Sequence, residues 1–365
     1  MQKLSESHAY NLIVLPKAHG KEATMNTVTL GSTGITTVQN AFGALPIQRI
    51  SQDEAAHLLH KAYDGGMRYF DTARAYSDSE QKLGAAFSDM RDKVFIATKT
   101  MATTPDAFWR DLETSLENLR TDYIDIYQLH NIQQFYQPDD GTGLYECMLE
   151  ARAQGMIRHI GVTAHKIHIA EQAVESGLYE TMQFPFSYLS SPREFALVES
   201  CAAHNMGFIV MKGLAGGLLS NSRACMAFMN EHPTVLPIWG VQRERELDEW
   251  LSYMEDTPVM DDELRAFIET DRAELIGGFC RNCGYCMPCP VDISIKDCAR
   301  MSLMLRRAPS ASWLTEHWQA EMAKIDDCIN CRQCAERCPY ELPTPELLRE
   351  NYEDYKLVLA GKVQV

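Results

Sequence analysis

The sequence predicts an α/β protein in two parts: a parallel (β/α)8 (TIM) barrel, then a small, mainly α-helical domain rich in cysteine. Eight short apolar runs alternate with stretches of helical spacing between Val28 and Tyr253, which is typical of such barrels. No GxGxxG motif follows the first run, and this disfavours the alternative of an open, doubly wound sheet. Nine of the twelve cysteines lie between Cys280 and Cys338, so the composition changes after the barrel.

The eight apolar runs are short and rich in β-branched and aromatic residues, as buried parallel strands usually are. In chain order they are NAFGAL near 40, RYFD ending at Asp71, VFIATK ending at Lys99, YIDIYQLH ending at His130, IRHIGVT near 160, TMQF near 182, GFIVMK near 209 and VLPIWG near 238.

The stretches between these runs have apolar residues at helical spacing, and several follow an N-cap residue and end at glycine or asparagine. They are QDEAAHLLHKAYDGG, SEQKLGAAF, PDAFWRDLETSLENLR, GLYECMLEARAQG, KIHIAEQAVESG, PREFALVESCAAHN, SRACMAFMNEHP and ERELDEWLSYM. Each strand therefore has its own following helix.

The net charge and the clustering of the cysteines limit which partners and which cellular compartment we expect. The formal net charge of −16 over 365 residues argues against nucleic acid and against an anionic membrane surface as partners. The apolar runs are too short to cross a bilayer. Clustered cysteines favour metal ligation in a reducing compartment over a disulfide framework. We therefore expect a soluble, cytoplasmic protein.

Four polar residues lie at or just after the ends of three successive predicted strands: Asp71, Tyr76, Lys99 and His130. In a barrel of this kind the carboxyl ends of the strands form the active site. A lysine beside a tyrosine is expected to lower the pKa of the phenol, and an aspartate keeps the lysine charged. An imidazole can hold a carbonyl oxygen. Together they predict a general acid/base, worth roughly 10²–10⁴-fold in rate.

The stretch FDTARAYSDSEQKLG, with ATK and QLH downstream, resembles the aldo-keto reductase family motif D-T-A-x-x-Y-x-x-S-E-x-x-L-G. The resemblance covers roughly residues 28 to 255. It implies Tyr76 as acid/base, Lys99 and Asp71 as the residues that tune it, and His130 as the residue that orients the carbonyl. The matching residues are Asp71, Thr72, Ala73, Tyr76, Ser79, Glu80, Leu83 and Gly84.

The same resemblance implies a nicotinamide site, in which polar groups after the fifth and sixth strands hold the carboxamide and a loop after the seventh lies over the pyrophosphate. The residues at these places are Thr163, Ala164, His165, Gln183, Met211, Lys212, Gly213, Leu214, Gly216 and Gly217. Backbone amides of a glycine-containing loop can approach phosphate oxygens closely.

WGVQRERELDEW resembles the family's adenosine-binding loop, although Trp250 replaces the usual asparagine and Asn131 replaces the tryptophan that commonly follows the histidine. Arg243 and Arg245 could bind a 2′-phosphate, whereas Glu246 opposes it, so both NAD and NADP stay open. The residues of this loop are Gly240, Gln242, Arg243, Glu246 and Glu249.

The cysteine runs are CRNCGYCMPCP at 280–290 and CINCRQCAERCP at 328–339. The second has the spacing of bacterial ferredoxins, in which the fourth cysteine ligates the neighbouring cluster. Four-cysteine zinc sites are the less favoured alternative. We expect two [4Fe-4S] clusters with crossed ligands: Cys280, Cys283, Cys286 and Cys338 for one, and Cys289, Cys328, Cys331 and Cys334 for the other.

The segment between the two runs has helical spacing, which is similar to α-helical ferredoxin domains, and the whole chain resembles a subgroup of aldo-keto reductases that carry such a domain. The predicted organisation is an N-terminal extension (1–27), a barrel (28–255), a helical connector (256–279) and an iron–sulfur domain with a C-terminal tail (280–365).

Three functions are compatible with this combination. The first is an oxidoreductase that reduces a carbonyl, or oxidises the alcohol, with NAD(P)(H), its clusters serving electron exchange, docking or structure. In the second, clusters carry electrons from a partner such as a ferredoxin or flavodoxin to a substrate in the barrel, without nicotinamide. The third is a non-catalytic, redox-sensing protein that binds nucleotide. The intact set of four polar residues favours an enzyme.

Overall fold

The computed structural model describes residues 25–275, 279–307 and 310–365. Eight parallel strands close into a barrel in the order β10-β3-β4-β5-β6-β7-β8-β9, after an N-terminal antiparallel pair. The predicted fold class is therefore confirmed, and each of the eight apolar runs forms one barrel strand. The strands are β1 (Thr27–Thr29), β2 (Thr36–Val38), β3 (Ala41–Gly43), β4 (Tyr69–Asp71), β5 (Phe95–Thr100), β6 (Ile124–Leu129), β7 (Ile157–Thr163), β8 (Thr181–Pro185), β9 (Gly207–Met211) and β10 (Val235–Gly240).

The antiparallel pair β1–β2 closes the bottom of the barrel, and the sequence analysis did not anticipate it. Its apolar residues Val28, Leu30 and Ile35 pack with the inward-facing residues of the barrel strands. Gly31, in the turn, forms a bridge to Met206 and has a φ of +50°. A Cβ at Gly31 would overlap the backbone carbonyl of Asn205, so this close approach requires glycine.

The predicted extension (1–27) overlaps this closing pair. Residues 1–24, which include the apolar island NLIVLP, lie outside the described residues. Met25 is buried in the main core, and Thr27 already belongs to β1.

Eight α-helices follow the barrel strands and cover the outside of the barrel. Ser51 and Ser191 form capping boxes with Glu54 and Glu194, as their sequence positions suggest. The helices are α1 (Gln52–Asp64), α2 (Ser79–Phe87), α3 (Pro105–Leu119), α4 (Leu144–Ala153), α5 (Ile167–Ser176), α6 (Pro192–Ala203), α7 (Ser222–Asn230) and α8 (Glu244–Glu255).

The remaining described part of the chain is helical and has its own apolar core. A connecting helix, α9 (Asp262–Leu275), packs on the barrel and leads to the cysteine-rich domain. That domain consists of α10 (Ile295–Cys298), α11 (Met301–Arg307), α12 (Glu316–Ala323), α13 (Gln333–Glu336) and α14 (Thr344–Leu359), with short 3₁₀ turns at Ser310–Trp313 and Lys324–Asp327. Among the described residues, no helix is both long enough and apolar enough to cross a bilayer.

Candidate active site and cysteine-rich domain

The four polar residues singled out from the sequence lie together at the carboxyl ends of the strands. Asp71 is the last residue of β4, Lys99 lies near the end of β5, and His130 directly follows β6. Tyr76 lies in the loop between β4 and α2. The barrel therefore brings residues from three strands to one position at its mouth.

A buried ion pair holds the lysine in place. Lys99 Nζ donates to Asp71 Oδ1 at 2.6 Å and to the carbonyl oxygen of Thr72 at 2.5 Å. The side chains of Lys99 and Asp71 are 1% and 3% exposed. Burial raises the pKa of Asp71 and lowers that of Lys99, because it disfavours both charges, and the ion pair opposes both shifts.

Tyr76 lies between this pair and His130. Its ring centroid is 5.3 Å from Lys99 Nζ and 5.8 Å from the ring of His130, with the two rings nearly perpendicular at 81°. The expected lowering of the Tyr76 pKa is wrong for this structure: burial, and then the charge of Asp71, raise it. The reason is that Lys99 directs its hydrogen bonds to Asp71 and Thr72, so that its charge is largely offset there.

His130 is a neutral imidazole in this environment. Burial, followed by repulsion from Lys99, lowers its pKa to about 3. Its Nδ1 atom is buried and has no hydrogen-bond partner among the described residues. A neutral imidazole carries one N–H donor, so this position can hold a carbonyl oxygen next to the Tyr76 hydroxyl.

The other motif residues build the loop that carries Tyr76. The carboxylate of Glu80, fully buried, accepts hydrogen bonds from Thr98 Oγ1 at 2.6 Å and Ser115 Oγ at 2.7 Å. Ser79 Oγ donates to the carbonyl of Ala44 at 2.8 Å. A Cβ on Gly84 would overlap the backbone of α3. These residues position the loop, and none of these contacts involves the Tyr76 hydroxyl.

The residues expected to hold the nicotinamide carboxamide form hydrogen bonds within the barrel instead. Thr163 Oγ1 accepts from the amide of Asn131 at 2.6 Å, and Gln183 Oε1 accepts from Gln128 Nε2 at 3.0 Å. Ala164 is buried, and its amide donates to the Gln183 carbonyl at 3.1 Å. These side chains stabilise the strand ends and the loop after His130.

The loop after β9 contacts the cysteine-rich domain. Lys212 Nζ lies 3.5 Å from the carbonyl oxygen of Arg281 and 3.4 Å from that of Asn282. Arg300 Nη2 donates to the carbonyl oxygen of Gly216 at 2.9 Å. In this loop Met211 is the last residue of β9, Gly213 packs against Trp239, Leu214 is partly buried, and Gly216 and Gly217 are exposed.

A second contact joins the two parts of the chain at the barrel mouth. The ring of Tyr285, from the cysteine-rich domain, lies 5.2 Å from the ring of His165 at 70°. Arg281 Nη1 forms an ion pair with Glu194 at 2.8 Å. Sequence reasoning did not identify Tyr285, Arg281 or Arg300, because nothing in their local pattern indicates which distant loop they contact.

The residues expected at the adenosine end stabilise the start of α8. Glu246 Oε2 accepts from the backbone amides of Gln242 and Arg243 at 2.9 and 3.0 Å. Its carboxylate thus occupies the helix N-terminus, where a phosphate could otherwise bind. Glu249 accepts from Ser222, and Gly240 ends β10.

Trp250, the departure from the family's asparagine, lies in the core. It is 3% exposed and stacks on Trp239 at 4.0 Å with an interplanar angle of 8°. Trp239 in turn lies under Gly213, where a Cβ would be only 2.7 Å from its ring. An aromatic stack therefore fills the space beneath the loop after β9.

The cysteines fall into two groups by their neighbours. Cys338 interacts electrostatically with the first run, at Cys280, Cys283 and Cys286. Cys289, by contrast, lines a cavity of about 380 Å³, open solvent included, together with Cys328, Cys331 and Cys334. Cys286 also borders this cavity. Among the described residues, no three His, Cys, Asp or Glu side chains converge closely enough to hold a single metal ion, so the crossed-ligand scheme stays a prediction.

The chemistry of these groups suits a cationic iron centre. Burial and the neighbouring thiols raise the pKa of Cys286 to about 12, so a thiolate at this position needs a positive partner. Cys298 differs from them: it lies in α10, is fully buried, and its Sγ is 3.8 Å from the carbonyl oxygen of Glu321.

The aromatic residues near the mouth contribute to packing. Phe186 lies among Phe195, Phe208 and Phe228, and Tyr188 donates to Asp271 at 2.5 Å. Phe135 and Tyr136 likewise contact Tyr179.

Comparison with known proteins agrees with the two-part architecture. The aldo/keto reductase family matches residues 30–234, and a 4Fe-4S dicluster domain matches residues 279–343. A solved aldo-keto reductase of Klebsiella pneumoniae in complex with NADPH has a TM-score of 0.58 at 22% identity, covering 68% of this chain and 95% of that chain. One from Bacillus halodurans, in its holo form, has a TM-score of 0.59 at 19% identity, covering 68% of this chain and 96% of that one.

Among curated proteins, the methylglyoxal reductase DkgB of Salmonella typhi is 33% identical over 142 residues, covering 37% of this chain and 51% of the relative. The 7-acetyl-epi-neemfruitin B aldo-keto reductase of Melia azedarach is 32% identical over 167 residues, covering 39% and 51%. The chain spans about half the length of these relatives. Since the family match covers more than half of its residues, the chain belongs to the aldo/keto reductase family and carries a 4Fe-4S dicluster domain after its barrel.

Proposed function

We propose that this protein is an oxidoreductase that reduces a small carbonyl compound to the alcohol, or catalyses the reverse reaction, at the mouth of its barrel. The observation that carries the proposal is the position of Tyr76, whose ring lies 5.3 Å from Lys99 Nζ and 5.8 Å from the His130 ring. A hydroxyl, a buried cation and a neutral imidazole around one space suit the protonation of a carbonyl oxygen.

In the direction of reduction, Tyr76 donates its hydroxyl proton to the carbonyl oxygen. Its raised pKa keeps the phenol protonated at neutral pH, as a proton donor requires. His130 holds the same oxygen through its N–H, and its low pKa keeps it neutral. Lys99, anchored by Asp71 and Thr72, lies against the Tyr76 ring and helps to fix its position.

The relatives and the site both support the substrate class that we propose. Relatives from several enterobacteria are named methylglyoxal reductases, which supports a small aldehyde or ketone. The mouth is polar, and the Nδ1 atoms of His130 and His165 have no hydrogen-bond partner within the described part of the chain, which suits an oxygen-rich compound.

We assign the eight cysteines to two [4Fe-4S] clusters, which would supply one-electron transfer when bound, and the match of residues 279–343 to a 4Fe-4S dicluster domain supports this. The ligands that we assign are Cys280, Cys283, Cys286 and Cys338 for the cluster nearer the barrel, and Cys289, Cys328, Cys331 and Cys334 for the other.

A nicotinamide cofactor is suggested by the solved neighbours, two of which are described as complexes with NADPH or NADP. The residues of this chain fit it poorly, for three reasons. Thr163 and Gln183 bond within the barrel, Lys212 faces carbonyl oxygens of the cysteine-rich domain, and Glu246 occupies the helix N-terminus. We therefore assign no step to the nicotinamide.

The test is Tyr76→Phe in the full chain, purified anaerobically with its iron. We expect alcohol formation from methylglyoxal and related small carbonyls to fall by about 10²- to 10⁴-fold, whichever reductant is supplied, with iron content unchanged. Tyr63→Phe, on α1, is the matched control and should keep the wild-type rate. Full activity in Tyr76→Phe would exclude the assigned role.

A further inference from the structure

We infer that the cysteine-rich domain replaces the nicotinamide in this protein: its segment 280–285 covers the nicotinamide end of the barrel mouth, and electrons reach the substrate from that side. The inference rests on the proposed function, because a substrate beside Tyr76 is what receives them. A reduced one-electron carrier protein, of the ferredoxin or flavodoxin class, is the reductant.

The first observation is that residues of segment 280–285 lie at the nicotinamide end of the barrel mouth. Tyr285 lies two residues after Cys283 in the sequence, and its ring contacts His165 at 5.2 Å. The backbone of Arg281 and Asn282 faces Lys212. His165 is one of the residues implied to hold the nicotinamide carboxamide, and Lys212 belongs to the loop implied to lie over the pyrophosphate, so segment 280–285 takes up contacts that the nucleotide would need.

The second observation is how firmly the domain is attached there. Arg281 pairs with Glu194 at 2.8 Å and stacks over Tyr340 at 4.3 Å. Further along the interface, Arg307 pairs with Asp271 at 2.9 Å, and both side chains are largely buried, at 12% and 7% exposed. Partly buried, directional contacts of this kind hold a domain more strongly than exposed pairs do.

The third observation is the charge at the boundary. Lys212, from the barrel, interacts electrostatically with Cys280 and Cys283, and Arg300, from the domain, with Cys280. A cubane with four thiolate ligands carries net negative charge. Lys212 therefore lies where it can stabilise the reduced state of that centre, and we assign it as a positioning residue for electron entry rather than for phosphate.

Two pairs of aromatic rings lie at the barrel mouth. The ring of Tyr285, two residues after Cys283, lies 5.2 Å from the ring of His165, and the ring of His130 lies 5.8 Å from the ring of Tyr76.

The overall reaction balances with one-electron donors. Reduction of one carbonyl to one alcohol takes up two electrons and two protons, so two reduced carrier molecules are oxidised for each alcohol formed. Tyr76 gives one proton to the oxygen, and solvent supplies the second, which ends on carbon.

The experiment uses the anaerobic holoprotein with methylglyoxal as the carbonyl probe. Reduced methyl viologen stands in for the carrier protein, and NADPH and NADH are the competing donors. We expect alcohol with two viologen molecules oxidised per product, and no alcohol with either nucleotide at up to about 1 mM, the top of the usual KM range. Turnover with a nucleotide but not with viologen would overturn the inference and leave the role of Tyr76 intact. The Tyr76→Phe variant tests the proposed function separately, because it should lose turnover with every donor.

A second readout does not depend on activity. Lys212→Met should shift the midpoint potential of one cluster signal, followed by electron paramagnetic resonance, to more negative values, because a cation next to the thiolates is lost. Lys212→Arg should restore it. Lys93→Met, which removes an exposed lysine, is the control and should leave the potential unchanged. If Lys212→Met instead weakens NADPH binding and leaves the potential as it was, the loop is a phosphate site and the inference is wrong.

Discussion

Replacing Lys99 by methionine would leave the Asp71 carboxyl buried without its cation. The two groups are 2.6 Å apart and almost fully buried, and removing one partner of such a pair costs about 3–5 kcal/mol of stability. A second calculation gives a similar cost. About pH 7 is roughly 3.1 pH units above the ordinary pKa of an aspartate, and each unit costs about 1.36 kcal/mol, so keeping the carboxyl neutral there costs about 4 kcal/mol.

The same reasoning fixes the sign of the pH dependence. Burial already raises the pKa of Asp71, and Lys99 limits the rise, so Lys99→Met should raise it further. A carboxyl whose pKa is raised on folding stabilises most below its unfolded pKa, and this stability is lost as the pH rises toward the folded pKa. The stability deficit of Lys99→Met should therefore grow by up to about 2.7 kcal/mol from about pH 5 to about pH 7.

Urea unfolding followed by circular dichroism at these two pH values measures the deficit. Lys82→Met is the matched control: Lys82 is also buried, but the side chain of its partner Asp78 is 46% exposed. Its cost, from the freed carbonyl groups of Ile47 and Ile50, should not change with pH. An equal deficit for Lys99→Met at both pH values, or one below about 1 kcal/mol, would refute the coupling of Lys99 to a buried carboxyl.

Three further outcomes are expected. Cys289→Ser should lower the iron bound per chain, while Cys298→Ser should not, because only the first lines the cavity with the second cysteine run; equal iron in both would contradict the crossed ligands. Arg307→Ala should speed amide hydrogen exchange at the domain interface, because it leaves Asp271 buried without its cation; unchanged exchange would show that the pair is not needed for docking. Between about pH 5 and 8 the reduction rate should be flat, because the pKa of His130 is about 3; an inflection near its ordinary pKa, about 6.5, that disappears in His130→Gln would contradict the neutral imidazole.

The sequence predicted the barrel well because the information is local. Each barrel strand is a short apolar run, each helix that follows it has its own periodicity, and several of these helices begin at a capping residue. Asp71, Lys99 and His130 could be placed at one mouth because parallel strands in a barrel all end on the same side. The pair β1–β2 was missed although TVTLGSTGITTV alternates around a glycine turn, the usual signal for a hairpin.

Other features depend on contacts between segments that are distant in the chain. The sign of the Tyr76 pKa shift depends on which oxygens Lys99 Nζ contacts, and the spacing of residues in the sequence does not reveal these contacts. The sequence suggests that Glu246 contacts the nucleotide, whereas in the structure its carboxylate accepts two backbone hydrogen bonds. Trp250 resembles a surface substitution until it is found stacked on Trp239.

By itself, the sequence determined the order of strands and helices, the residues available for acid/base chemistry and the presence of a cysteine-rich domain after the barrel, because periodicity and residue spacing are properties of neighbouring residues. Only the tertiary structure decided what those residues face. Tyr285 reaches His165, and Lys212 turns toward the carbonyls of the cysteine-rich domain, because two separately packed cores meet at the barrel mouth. The shape of that contact depends on both cores at once, and neither local sequence encodes it alone.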